Sequence, residues 1–183
     1  ERREVASITK LMTALLVLEA LDRDEIALTD SVQISPRAAA MKGSQALLDA
    51  SAVYPLEDLL RTTIMASAND SAVALSEYIA GSEENFVDRM NRRAAELGMT
   101  NTNYVNCTGY PQSGQYTTAR DVCRLCCEIA KHPRYNQYAS VWIDKLTHPG
   151  GRVTDLTNTN RLVRFYEGCD GYKTGSTDAA KYC

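Results

Sequence analysis

Apolar residues at Ile8, Leu11, Met12, Leu15, Leu16 and Leu18 cover most of a helical circumference. That pattern predicts a helix over Ser7–Leu21 buried on nearly every side, with Ser7 placed as its N-cap. Asp30–Ser35 reads as a weak strand, and Ala38–Ala52 as irregular chain rich in small residues. Pro55 opens a helix through Leu56, Leu59, Leu60 and Ile64. Turn- and cap-forming residues at Ser67-Ala68-Asn69-Asp70-Ser71 interrupt it. A helix over Ala72–Ala80 stops at Gly81, and Ser82 caps the next, which runs to Leu97. Asn101–Gly114 reads as a polar loop. Thr118-Ala119-Arg120-Asp121 matches a capping box and opens a helix to Lys131, ended by Pro133. Thr154–Arg164 is mixed, and the Gly-rich end contains a turn and a strand over Gly171–Thr177. Helix outweighs strand, and no repeat is visible.

Composition narrows this to one globular domain. The 183 residues are 44% hydrophobic and 23% charged, enough to bury a core. Twenty Lys and Arg against 23 Asp and Glu give a net charge of −3, a poor basis for charge-driven nucleic-acid binding. No apolar run is long enough to span a bilayer. Two histidines, His132 and His148, restrict any histidine-based zinc site or triad. Of six cysteines, Cys123, Cys126 and Cys127 fall at i, i+3 and i+4, the spacing of a buried helix face rather than of a zinc site. No metal or cofactor is implied. The compartment is left open by the cysteines. Glu1-Arg2-Arg3-Glu4 is neither an initiator nor a signal peptide, and the last residues read as mid-strand. The expectation is one domain over 1–183 cut at both ends, with any membrane association lying outside it.

Three short motifs carry chemistry. In Ser7-Ile8-Thr9-Lys10, helical spacing lets Ser7 Oγ and Lys10 Nζ share a face. A serine hydroxyl needs a neighbouring base to become a nucleophile, and lysine becomes one when burial or a nearby cation lowers its pKa. Ser67-Ala68-Asn69, sixty residues on, offers a proton-relaying hydroxyl and an amide. Lys173-Thr174-Gly175, followed by Ser176, offers a cation, a hydroxyl and a glycine beside which a substrate backbone can lie. Each is unremarkable alone. In this order they form the S-x-x-K, S-x-N, K-T-G set of penicillin-binding proteins and class A β-lactamases.

The flanking residues extend the likeness. Glu4–Thr13, Ala66–Ala72, Leu97–Thr102, Tyr116–Asp121, Asn158–Leu162 and Asp170–Gly175 together resemble the serine-type D-alanyl-D-alanine carboxypeptidases, the low-molecular-mass penicillin-binding proteins of peptidase family S11. The resemblance implies an α+β, β-lactamase/transpeptidase-like fold, here a helix-rich fragment with an incomplete antiparallel sheet and an all-helical subdomain. It implies an extracytoplasmic enzyme that removes the terminal D-alanine from peptidoglycan stem peptides through an acyl-enzyme on Ser7, and that β-lactams acylate. Lys10 would then be the base and Ser67 the proton relay. Asn69 would position substrate and Lys10. Lys173 and Thr174 would bind the terminal carboxylate beside Gly175, and the Ser7 and Ser176 N–H groups would hold the oxyanion. Gln115 and Ser176 stand where the family often has histidine, and Ala50–Tyr54 lacks an expected glycine turn. Two rival readings are an inactive cell-wall binding module and a class A β-lactamase-like hydrolase. The latter needs a deacylating glutamate in an E-x-x-x-N element, and none lies between Asn69 and Lys173.

Overall fold

The computed structural model describes residues 1–183. A 3-10 turn over Ala6–Thr9 runs directly into helix α1, Lys10–Asp22. Ser7 therefore sits inside a tight turn and is not the helix cap that its position suggested. Nine of the thirteen α1 residues are buried, Lys10 and Thr13 among them, so this helix has no solvent face. It lies at the centre of a helical body, against α3 (Leu56–Met65), α4 (Asn69–Ala80), α5 (Glu83–Glu96), α6 (Ala119–Ile129) and α7 (Pro133–Ala139). The short helices α2 (Pro36–Ala39) and α8 (Leu162–Phe165) overlap the ends of the segments Ala38–Ala52 and Thr154–Arg164, read as irregular and mixed.

Local chemistry accounts for the helix ends. Ser82 Oγ accepts the Asn85 N–H at the start of α5, and Gly81 ends α4 with a left-handed φ of 78°, a conformation glycine adopts without a Cβ penalty. Thr118 Oγ1 accepts the Asp121 N–H at the start of α6. The reciprocal half of that capping box is missing, because the Asp121 carboxylate accepts from Asn101 N–H and Thr102 Oγ1 instead. It fastens the incoming loop rather than the cap.

The strands form three separate antiparallel pairs rather than one sheet. β1 (Ser31–Gln33) pairs with β2 (Val53–Pro55), β3 (Ile143–Thr147) with β4 (Val153–Thr157), and β5 (Ser176–Thr177) with β6 (Lys181–Tyr182). The β3–β4 hairpin is held by His148, buried between Tyr54 Oη at 2.7 Å and Thr154 Oγ1 at 2.8 Å. The terminal strand is shorter than Gly171–Thr177 and has a partner, β6. Lys173 and Thr174 precede it.

The cysteine face is corrected. Leu125 and Ile129 form the buried stripe of α6 with Asp121, while Cys123 and Cys127 are exposed and Cys126 lies at the margin. Two residues along a helix is a rotation of about 200°, which turns Cys123 and Cys127 away from the stripe through Leu125.

Candidate active site

The α3–α4 junction is built on an unusual backbone. Ser67 holds φ at 60°, and the Ala68 N–H reaches back 3.2 Å to the Thr62 carbonyl, which also accepts from Ala66. Helix α4 then starts at Asn69, earlier than the Ala72 that the sequence pattern indicated. A left-handed conformation costs a non-glycine residue about 1–2 kcal/mol, and Ser67 Oγ is buried without a hydrogen-bond partner. A strained backbone and an orphan hydroxyl thus meet in this one residue. Ser67→Gly is expected to raise stability by about 1 kcal/mol and to lower turnover; chemical denaturation beside an activity assay checks both.

Asn69 and Asp70 fasten the loop in front of this junction. Asn69 donates through its backbone N–H to Ser44 O at 2.7 Å and through Nδ2 to Lys42 O at 2.6 Å. It makes no bond to Lys10, contrary to the role expected of it. The buried Asp70 carboxylate accepts from the N–H groups of Ala46 and Leu48. The missing glycine turn nearby is made by Ser51 in a left-handed conformation, φ 64°.

Lys10 lies 1% exposed in the first turn of α1. Its Nζ stands 3.0 Å from Ser7 Oγ and donates to Thr108 O at 2.6 Å. Burial pulls its pKa from 10.5 down to about 7, against a weaker upward pull from Cys107 and Asp70. Near neutral pH a large fraction is therefore free amine, whose lone pair can take the Ser7 proton while one N–H stays on the Thr108 carbonyl.

The segment supplying Thr108 read only as a polar loop. It is held rigidly by side chains. Asn106 Oδ1 accepts from Thr108 and Gly109 N–H groups, and Gln115 Oε1 accepts from Val105 and Asn106. Thr13 Oγ1 donates to the Cys107 carbonyl, and Glu83 accepts its N–H. The Asn-x-Thr-Gly run, a side-chain-bonded turn signal, was the trace this loop left in the sequence. Gly109 has φ 78°, and a Cβ built there would lie 1.8 Å from Ala6 O. The loop backbone thus presses directly on the turn that carries Ser7.

The K-T-G segment closes the site from the opposite side. A Cβ on Gly175 would lie 2.7 Å from Val5 O and 3.2 Å from Ser7 N. Gly175 and Cys183 exchange both backbone hydrogen bonds, so Ser176 and Tyr182 form the next, non-hydrogen-bonded pair. Alternation along an antiparallel ladder turns the Ser176 N–H away from β6. Lys173 is buried and donates to Thr174 O at 3.1 Å. Burial first, and then the charge of Lys10, hold its pKa well below the lysine range. The two amines are thus close enough to repel.

Ser7 opens onto a cleft with two arms. One is bounded by Gly43, Asn69, Tyr110 and Asp178, the other by Ser67, Thr159, Arg161, Thr174 and Gly175. Ser7 and Ser176 line both, whereas Lys10 and Lys173 lie beneath the floor. Such a site can attack a carbonyl with serine, remove the proton with a buried amine and hold an oxyanion on backbone donors.

Comparison with known proteins follows the same lines. The model of the Peptidase_S11 family, D-alanyl-D-alanine carboxypeptidase, matches residues 1–183. The chain is 43% identical over 183 residues to D-alanyl-D-alanine carboxypeptidase DacF of Bacillus subtilis (strain 168), covering 100% of this chain and 47% of that protein. It spans about half the length of the curated relatives it matches. Among solved structures, the carboxypeptidase DacD from Francisella tularensis superposes with a TM-score of 0.94 at 29% identity, over 100% of this chain and 56% of that one. Penicillin-binding protein D2 from Listeria monocytogenes, in an ampicillin-bound form, gives 0.84 at 31% identity, over 100% and 73%.

Proposed function

The chain belongs to the S11 peptidases, the D-alanyl-D-alanine carboxypeptidase family, and on that premise we propose that it is the catalytic domain of a serine carboxypeptidase acting on peptidoglycan stem peptides. The reaction is acyl transfer. Neutral Lys10 takes the Ser7 proton as Oγ attacks the carbonyl between the two terminal D-alanines. The oxyanion is held by the N–H groups of Ser7 and Ser176. Ser67 passes a proton to the departing amine, Asn69 Oδ1 accepts from the substrate backbone, and Thr174 meets its terminal end. Water then hydrolyses the ester on Ser7. Work on this substrate places the protein outside the cytoplasmic membrane; none of its helices is long and apolar enough to cross one.

One observation carries the reading: the 3.0 Å contact between Ser7 Oγ and a lysine amine whose burial brings it to about 7. A serine beside an ordinary charged lysine would have no base. The same geometry makes β-lactams acylating agents of Ser7, since a strained amide is attacked by the same hydroxyl. A fluorescent penicillin is expected to give a covalent adduct that peptide mass mapping places on Ser7, and Ser7→Ala is expected to give none. Equal labelling of the variant would refute the assignment.

A further inference from the structure

Lys10 Nζ has two hydrogen-bond partners, Ser7 Oγ at 3.0 Å and Thr108 O at 2.6 Å. For the amine lone pair to face the serine hydroxyl, an N–H must be held elsewhere. The direction of the Thr108 carbonyl therefore decides whether Lys10 is aimed as a base. We propose that Asn106 is the positioning residue that sets this direction, acting on Lys10 through a single peptide plane. This rests on the acyl-transfer reading above.

Planarity makes the connection. The Thr108–Gly109 peptide is trans, and in a trans unit the N–H and C=O point in opposite directions. Gly109 N–H donates to Asn106 Oδ1 at 2.7 Å, so the Thr108 C=O of the same unit is turned the other way, onto Lys10 Nζ. Side-chain amide, peptide and amine form one chain of hydrogen bonds, in which each bond polarises the next. Without the anchor at Asn106 the unit is free to turn over, because Gly109, at φ 78°, has no Cβ to oppose other backbone angles. A unit turned over would present an N–H to Nζ in place of an acceptor.

Asn106 is buried and is itself fixed at both polar atoms of its side chain. Oδ1 also accepts from the Thr108 N–H at 3.2 Å and from the Thr108 hydroxyl at 3.3 Å. Nδ2 donates to Tyr110 O at 2.9 Å and to Gln112 Oε1 at 3.2 Å, which settles the side of the amide that faces Gly109 as the oxygen. Gln115 Oε1 holds the Asn106 backbone N–H at 3.2 Å. Of the bonds made by the Asn106 side chain, the one to Gly109 N–H belongs to the unit whose carbonyl meets Lys10.

Two readings on the whole chain test this: the titration midpoint of the Lys10 ¹³Cε resonance and the rate constant for penicillin acylation of Ser7. The titratable groups facing Lys10 are Cys107, Asp70 and Lys173, and the variants alter none of them. A carbonyl acceptor favours the ammonium over the amine. Asn106→Ala is therefore expected to lower the midpoint by about one pH unit and yet to slow acylation about 10–100-fold. More free amine with a slower reaction marks a base that has lost its aim. Loss of stability alone moves neither the midpoint nor the rate constant of the folded fraction. Asn106→Asp keeps an oxygen on the Gly109 N–H and adds a negative charge, so its midpoint is expected to rise by about one pH unit and its rate to recover above that midpoint. Gln112→Ala, which leaves the Gly109 bond in place, is expected to match the parent in both readings. A midpoint or a rate constant unmoved in Asn106→Ala overturns the proposal, as does an equal change in Gln112→Ala. If the alanine variant does not fold, an aspartate variant that stays slow above its own midpoint overturns it. A parent protein that penicillin does not label would count against acyl transfer, whereas the Lys10 midpoint would still report on Asn106.

Discussion

Lys10→Met is expected to slow acylation of Ser7 by about 10³–10⁴-fold, near the upper end of what a positioned base contributes, and at the same time to stabilise the protein. The two effects share a cause. Lys10 falls from 10.5 to about 7 on folding, and at about 1.36 kcal/mol per pH unit that costs the fold about 5 kcal/mol at pH 7 and below. Between those two values the unfolded chain binds the proton and the folded chain does not, so this group's contribution to stability rises with pH across that window. Methionine removes the penalty but leaves Thr108 O unpaired, which returns about 1–3 kcal/mol. The net gain at pH 7 is expected to be about 2–4 kcal/mol, shrinking towards pH 10.5 and then changing sign as only the lost hydrogen bond remains. Denaturation curves at pH 7 and pH 10, alongside penicillin acylation rates, test this. A methionine variant less stable at pH 7 than at pH 10, relative to its parent, would contradict it.

The second large effect is expected at a glycine that carries no chemistry. Gly109→Ala puts a Cβ 1.8 Å from Ala6 O and 2.4 Å from Ala6 C. Both are backbone atoms in the turn that holds Ser7, so no flexible side chain can move aside. Displacement by about 1 Å is enough to cost about 100-fold in rate, and the strain is expected to remove about 3 kcal/mol or more of stability. Gly81→Ala is the matched control. It has the same φ of 78° with nothing within 4 Å of the added Cβ, so it isolates the conformational cost, about 1–2 kcal/mol, and leaves acylation unchanged. Similar losses at the two positions would show that the clash at Gly109 is relieved without disturbing Ser7.

How far these features could be read beforehand depends on their range along the chain. Ser7 and Lys10 are three residues apart, and a 3-10 turn running into a helix keeps them adjacent as a helix would. The caps at Ser82 and Thr118 and the stop at Gly81 are equally local. The β3–β4 hairpin was overlooked because Ile143–Thr147 and Val153–Thr157 place their apolar residues three apart rather than in alternation, although β-branched residues flank the turn signal Pro149-Gly150-Gly151. The Thr108 carbonyl is a different matter. It meets Lys10 across ninety-eight residues, and a backbone acceptor has no residue type to betray it. Ser67 was visible as a hydroxyl, but its left-handed backbone was not, because serine carries no general preference for that region. The cysteines misled because the spacing i, i+3, i+4 identifies a shared face without saying which face is buried. Leu125 and Ile129 decide that.

The claim on which the rest depends is that Lys10 is a neutral amine under working conditions. Lysine labelled with ¹³C at Cε gives a resonance for Lys10, assigned by its loss in Lys10→Met, whose shift follows the charge on Nζ. A titration midpoint near pH 7 is the result expected from a base buried 3.0 Å from Ser7 Oγ. A midpoint near 10.5, the ordinary lysine value, would mean that the ammonium keeps its proton and that something else activates the serine.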